Sequence, residues 1–366
     1  MADNIPLVDL KAQFRSIETE VNAAIAAVLA RGDFILGKDV EAFEKEFSAF
    51  SGSSHCVGCA NGTDALQLAM MALDIGPGDE VIVPAMTFIA TALGVTLAGA
   101  TPVFVDVEAA TGLLDPAKVE AAITPRTKAI LPVHLFGQMA DLKALGALCA
   151  KHGLKLVEDA AQAHGASRDG LKAGTVGAIG CFSFYPGKNL GAYGDAGGLT
   201  TNDAALAHKL GLLRHLGSSK KYHHDIIGPN SRLDTLQAAV LRVKLPHLAG
   251  WNEARRGHAR RYDQALAGID GVRLTQSDPG SVYHLYVIRV EERDRVLKAL
   301  NDAGIGAGIH YPFAVHELDA YASLGHKPGA FPSAEDWARH CISLPLYAEL
   351  PADAAARAAA ALRQAL

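Results

Sequence analysis

No one sign of charge dominates this chain of 366 residues: 34 Lys and Arg face 39 Asp and Glu, a formal net charge of −5. Without a basic field to neutralise phosphates, nucleic acid is not expected as a partner. Cysteine is scarce, and its five copies (Cys56, Cys59, Cys149, Cys181, Cys341) are odd in number and scattered. That excludes a disulfide framework and points to a reducing, cytoplasmic setting. Cys56-Val57-Gly58-Cys59 has metal or redox spacing. No second pair accompanies it, however, and its flanks read as a short buried strand. The histidines of His223-His224 and His310-Tyr311-Pro312 do not form helical metal pairs, so no metal is expected. The first residues, Met1-Ala2-Asp3-Asn4-Ile5-Pro6, show neither a basic start nor an apolar run, so no secretory signal is expected. Residues 81–105 carry no charge at all, but Pro84, Pro102 and four threonines divide them into strand, helix and strand. A buried α/β core is therefore expected there, with no membrane span. Internal repeats and low-complexity linkers are also missing.

What the chain does have is apolar bulk, 49% hydrophobic against 20% charged, enough for a large core. Its length suits about two domains. Ser16 to Ala30 reads as an amphipathic helix with Ile17, Val21, Ala24, Ile25 and Val28 on one stripe, and Asn61-Gly62-Thr63-Asp64 opens a second helix. Strands at 80–83, 102–106, 129–134 and 154–158 then alternate with helices at 89–98, 116–122 and 142–151, and strands 180–184 and 197–201 follow. This rhythm predicts an α/β fold with a mostly parallel sheet and helices on both faces. Past residue 240 long helices with a few strands, such as 283–290, replace it. The expected division is a large domain over residues 1–240 and a smaller α+β domain over 241–366.

Chemistry concentrates just beyond strand ends, where open α/β sheets bind ligands. Lys188 lies in Phe182-Ser183-Phe184-Tyr185-Pro186-Gly187-Lys188-Asn189-Leu190-Gly191, with glycines again at 194, 197 and 198. Such a backbone can pass close to a flat ligand. Asp159 ends the apolar strand Leu156-Val157-Glu158, 29 positions upstream, enough for one crossover between neighbouring strands. A lysine amine that forms an imine and an acid that keeps a pyridine nitrogen protonated are what pyridoxal phosphate requires. Asp159 would equally serve as a helix N-cap, and Glu158 competes for the pyridine role. Gln162 would share a helix face with Asp159 and reach the ring hydroxyl. Gly62 and Thr63 at a helix N-terminus, with the Ser183 hydroxyl, offer a phosphate site. Phe88 would lie against the ring, although a core position is the default for a phenylalanine. Two glycine readings fail: 191–197 leads into a strand and lacks the dinucleotide pattern, and Lys188 has no Ser or Thr after it for a P-loop.

Taken together these motifs resemble the DegT/DnrJ/EryC1/StrS family of sugar aminotransferases, fold-type I enzymes that use pyridoxal 5'-phosphate. The likeness runs almost end to end, through Gly37-Lys38-Asp39-Val40-Glu41, Asn61-Gly62-Thr63-Asp64, Gly76-Pro77-Gly78-Asp79-Glu80, Pro132-Val133-His134-Leu135-Phe136-Gly137-Gln138, Glu158-Asp159-Ala160-Ala161-Gln162 and Asn230-Ser231-Arg232-Leu233-Asp234. It implies an aspartate aminotransferase-like fold with a seven-stranded, mostly parallel sheet. By the same resemblance Lys188 forms the imine and Asp159 pairs with the pyridine nitrogen. Gln162 meets the ring oxygen, Phe88 the ring face, and Gly62, Thr63 and Ser183 the phosphate. Asn230 would reach the phosphate of a neighbouring subunit, implying a homodimer with shared sites. Relatives that dehydrate the sugar have histidine at the lysine position, so Lys188 favours transamination.

The run from Phe184 to Gly197, the stretch Ser218-Ser219-Lys220-Lys221-Tyr222-His223 and the trio His310-Tyr311-Pro312 are similar to enzymes that aminate carbon 3 of a dTDP-linked 3-keto-6-deoxyhexose with glutamate. In that group Tyr185, His310 and Tyr311 line the sugar pocket, and Lys220 or Lys221 reaches from the partner chain to the nucleotide diphosphate, as a mobile point charge would. Carbon-4 amination, a UDP- or GDP-linked sugar, and a non-enzymatic regulator that binds the cofactor are the other readings. The last would need a DNA-binding module, which the sequence does not display.

Overall fold

The computed structural model describes residues 4–366. Three helices come first: α1 (Leu10–Ser16), α2 (Glu18–Arg31) and α3 (Lys38–Ser51). The sheet region then runs β1 (His55–Cys59), α4 (Gly62–Ala72), β2 (Glu80–Pro84), α5 (Ala90–Leu97), β3 (Thr101–Val105), α6 (Pro116–Val119), β4 (Thr127–Ile130), α7 (Leu142–His152) and β5 (Lys155–Asp159). A hairpin of β6 (Ser167–Arg168) and β7 (Leu171–Lys172) leads to β8 (Ile179–Ser183) and β9 (Gly197–Thr201). After α8 (Ala204–Leu213) comes a second hairpin, β10 (Ser218–Lys220) with β11 (His223–His224). The rest comprises α9 (Thr235–Lys244), α10 (Leu248–Leu266), β12 (Val272–Leu274), β13 (Tyr286–Val290), α11 (Arg293–Asp302), α12 (Pro332–His340), β14 (Cys341–Leu344) and α13 (Ala354–Ala365).

Seven strands form one sheet in the order β1-β9-β8-β5-β4-β2-β3. All its pairings are parallel except those of β9, which runs antiparallel to β1 and β8. The expected mostly parallel sheet is borne out. Side chains alternate across it with a period of two: Val81 and Val83 enter one core, Ile82 the other. Cys56 and Cys59 likewise separate into different cores, which suits packing on opposite faces. On the second face, α3 brings Phe43 and Phe47 against Phe182 and Phe184, edge to face at 5.0–5.3 Å. Truncating one such ring costs about 3–5 kcal/mol. Among the described residues no helix is long and apolar enough to cross a membrane, and residues 81–105 form β2, α5 and β3.

A separate antiparallel sheet, β12-β13-β14, carries a third core with α10, α11 and α13. Small residues Ala354, Ala355, Ala358 and Ala359 let α13 pack closely there. Some expected boundaries move. The helix expected at 16–30 is interrupted at Ile17 (φ −133°), where α1 ends and α2 begins. The strand expected from 283 starts at Tyr286, because Tyr283 takes a positive φ of 44°. The strand expected over 129–134 pairs regularly only to Ile130; beyond it, single bonds such as His134 N–H to the Asp159 carbonyl (3.0 Å) continue the chain past the sheet.

Candidate active site

Strands β5 and β8 are parallel neighbours with Asp159 opposite Cys181. Their C-terminal ends therefore bring the carboxylate of one beside the loop that begins after Ser183 on the other. That loop turns back tightly: the Lys188 N–H donates to the Tyr185 carbonyl at 2.8 Å, and the Ala192 N–H to that of Phe184 at 2.8 Å. A side chain at Gly191 would lie 2.3 Å from the Pro186 oxygen, so only glycine permits this fold-back. From below, the buried Lys244 donates to the Gly191 carbonyl at 2.7 Å.

Asp159 is 4% exposed. It accepts from the Thr91 hydroxyl at 2.8 Å and the Ala161 N–H at 3.2 Å. Burial pushes its carboxyl above the usual range, and these bonds and the Lys188 charge only partly oppose that. Burial likewise brings the Lys188 amine down to about 8, with Asp159 opposing. The Lys188 side-chain amine makes no hydrogen bond among the described residues and remains reachable through the cavity. An amine titrating near neutrality beside a buried acid suits nucleophilic and proton-carrying work.

Geometry separates Glu158 from Asp159. Glu158 takes the His134 ring nitrogen at 2.9 Å and the N–H groups of Gly174, Val176 and Gly177 at 2.7, 2.8 and 2.7 Å. Burial alone would raise its carboxyl, but His134 and these amides outweigh that and hold it low. It is saturated and does not line the cavity.

One cavity of about 640 Å³ collects most of the expected residues: Gly62, Thr63, Phe88, Asp159, Gln162, Ser183, Tyr185, Lys188, His310 and Tyr311. Its size is that of a pocket for a cofactor and a small substrate. At one end, the Asn61 side chain caps α4 by accepting from the Asp64 N–H at 2.8 Å. The Gly62 and Thr63 amides at this helix start are free for an anion. Ser183 stands so near Gly62 that an added Cβ there would meet its Cβ at 2.6 Å. Opposite, Phe88 and Tyr311 place their rings 5.4 Å apart.

Gln162 is a correction in part. No helix follows β5; residues 160–165 form turns. Asp159 therefore caps no helix, and Gln162 reaches the cavity by a turn instead of a shared helix face. Its oxygen accepts from the Phe136 N–H at 2.6 Å, and its amide donates to the Tyr311 hydroxyl at 3.0 Å. His310 is fixed by Ser343 at 2.8 Å, and burial, then Lys188, holds its ring down to about 4, hence neutral. Asn230, Lys220 and Lys221 do not line this cavity. Lys220 and Lys221 are exposed on the β10–β11 hairpin, and Asn230 is exposed where its backbone pairs with His215. Sequence reasoning missed Leu7, Val8, Arg255, His284, Leu285 and Leu346, which complete the wall from distant segments. Their spacing carries no signal.

The sequence profile of the DegT/DnrJ/EryC1/StrS aminotransferase family matches residues 15–363. The chain belongs to this family. Three relatives are similar over nearly the whole length. The erythromycin biosynthesis sensory transduction protein EryC1 of Saccharopolyspora erythraea is 49% identical, over 98% of this chain and 99% of its own. The dTDP-3-amino-3,4,6-trideoxy-alpha-D-glucose transaminase of Streptomyces venezuelae is 48% identical, over 98% and 96%. The UDP-N-acetyl-3-dehydro-alpha-D-glucosamine 3-aminotransferase of Acidithiobacillus ferrooxidans is 48% identical, over 99% and 98%. Among solved structures, S. venezuelae DesV in complex with a ketimine intermediate superposes with a TM-score of 0.97 at 48% identity, over 99% of this chain and 98% of that one.

As a member of the DegT/DnrJ/EryC1/StrS aminotransferase family the protein is a nucleotide-sugar aminotransferase that uses pyridoxal phosphate. Its residues fit that group. A glycine-lined helix start and the Ser183 hydroxyl would take the phosphate, the raised Asp159 carboxyl is open to a cationic ring nitrogen, and the unpaired Lys188 amine is open to the aldehyde.

Proposed function

We propose that the protein moves the amino group of glutamate to carbon 3 of a dTDP-linked 3-keto-6-deoxyhexose, giving a dTDP-3-amino-3,6-dideoxyhexose. The observation that carries the aminotransfer reading is the meeting of Lys188 and Asp159 in one cavity at the ends of β5 and β8. Carbon 3 is supported by two relatives of different nucleotide specificity, whose names both place the amino group there. An apolar wall of Leu7, Val8, Leu285 and Leu346 supports a 6-deoxy sugar. The second reading, a UDP-sugar, rests on the A. ferrooxidans relative.

Bound pyridoxal phosphate supplies an aldehyde and an electron-withdrawing ring that stores the amino group between two half-reactions. In this proposal Lys188 is the residue whose amine would hold the aldehyde carbon. The same amine, when free, would serve as the base and acid that takes up and returns the donor's α-proton. Asp159 would keep the ring nitrogen protonated, Gln162 would meet the ring oxygen, and Phe88 would cover one face. Gly62, Thr63 and Ser183 would anchor the phosphate. Tyr185, His310 and Tyr311 border the sugar. Glutamate leaves as 2-oxoglutarate and the keto sugar leaves aminated.

A panel of dTDP- and UDP-linked 3-keto and 4-keto sugars, each with glutamate, tests the substrate. Highest kcat/KM for the dTDP-3-keto-6-deoxyhexose is expected; preference for a UDP-linked or 4-keto sugar would overturn it. Tight DNA binding without a glutamate-driven change in the cofactor's spectrum would instead favour a regulator.

The proposal includes a dimer in which Asn230 and the Lys220-Lys221 pair serve the neighbouring site. Exposed Tyr222 and Ile227, 82% and 93% exposed beside these residues, support a covered surface there. Mixing a Lys188→Ala protein with one lacking Asn230 and both lysines should restore activity. One site of each mixed dimer is then intact, as two-fold pairing requires. Verified subunit exchange without recovered activity, between parents that are each inactive, would confine every site to one chain.

A further inference from the structure

Arg255, on α10, brings to the cavity wall a charge that no carboxylate among the described residues meets at ion-pair distance. It is 6% exposed. A single nitrogen, Nη1, donates to the carbonyls of Leu346, Tyr283 and His284 at 2.9, 3.2 and 3.4 Å. Nε and Nη2 make no hydrogen bond among the described residues, and none of their carboxylates forms an ion pair with this arginine. Burial brings its pKa down to about 10; Glu349, which borders the same small cavity without reaching ion-pair distance, opposes that, so the arginine is cationic at neutral pH. His284 and His310, on the same wall, are held neutral by burial. Buried charges normally have partners, and a guanidinium with two open donors matches a carboxylate.

Arg255 and Lys188 border both the main cavity and a second one of about 10 Å³, room for one water. An amino acid whose nitrogen reaches Lys188 carries its α-carboxylate on the next carbon. The keto sugar has no carboxylate. We propose that Arg255 binds the α-carboxylate of the amino-acid donor and thereby serves the first half-reaction alone. This inference rests on the aminotransfer reading above but not on the identity of the sugar.

The competing role is a purely structural clamp on three carbonyls, with water on the open donors. The holoenzyme mixed with glutamate and no sugar isolates the first half-reaction, read as loss of the cofactor's visible band. Protein loaded with pyridoxamine phosphate and mixed with keto sugar isolates the second. Arg255→Gln is expected to raise the glutamate concentration for half-maximal rate by about 100-fold, and Arg255→Lys by less. The second half-reaction should change by less than about threefold, well under the effect of a lost charged contact. Glutarate, which has no amine, should raise the Tm of wild type and not of Arg255→Gln. If neither variant folds, wild type still decides: glutamine should remain a donor, whereas isoglutamine, whose α-carboxylate is an amide, should fail. Equal losses in both half-reactions, or isoglutamine reacting as well as glutamate, would overturn the assignment. If glutamate reacts with the expected split and no dTDP sugar does, the sugar reading falls and this one stands.

Discussion

Lys188→Ala is expected to lower transamination by about 10⁴-fold or more, the scale of losing a nucleophile that also carries the proton. The described residues offer no substitute. Lys188 is the one lysine among the described residues that border the cavity, so no other amine there can hold the aldehyde. Arg255 does not give up a proton near neutrality. Borohydride reduction of wild type should fix the cofactor to the peptide containing Lys188, and mass spectrometry of the variant should find none. The amine at about 8 adds a pH signature. Only the neutral amine attacks an aldehyde, so capture of pyridoxal phosphate by cofactor-free protein should quicken about tenfold per unit below pH 8 and level off above it. Retained turnover, or cofactor fixed to another lysine, would remove Lys188 from its role.

The two proposed chemical centres were legible because each breaks a local rule. A lysine in an apolar, glycine-rich loop and an acid ending an apolar strand have poor structural reasons to be there. The parallel strand rhythm was legible as well, since period-two apolar runs separated by helical ones leave few topologies. Gln162 was found by its proximity in sequence to Asp159, but its path was not: periodicity over 160–165 cannot distinguish a helix start from turns whose side chains bond Phe136 and Tyr311 far along the chain. Arg255 was invisible for a related reason. It lies in the arginine-rich helix α10, where Arg256, Arg260 and Arg261 read alike, and only tertiary packing turns one of them inward against Leu346 and Tyr283. Strand β14 follows α12 without a turn signal, so only the pairing with β13 defines it.

Asp159→Asn should slow turnover by about 100-fold or more, as when a key electrostatic contact is removed, while stability moves the other way. The substitution keeps the shape: an amide oxygen can accept from the Ala161 N–H, and its NH2 can donate to Thr91, whose hydroxyl can turn toward Thr87 at 2.8 Å. What disappears is a negative charge. In cofactor-free protein that charge is buried with its carboxyl raised, so removing it should leave Tm unchanged or higher. With the cofactor, the ring nitrogen would lose the acid proposed to keep it protonated, and rate should fall more than cofactor affinity. Glu158→Gln should behave oppositely. Its carboxylate satisfies His134 and three amides, and an NH2 in their midst sets donor against donor, so Tm should fall while the remaining folded protein keeps nearly its normal kcat. Rate loss confined to Glu158→Gln, with Asp159→Asn near normal, would exchange the two assignments. Paired measurement of kcat and Tm separates the acid that serves the reaction from the acid that holds the loop.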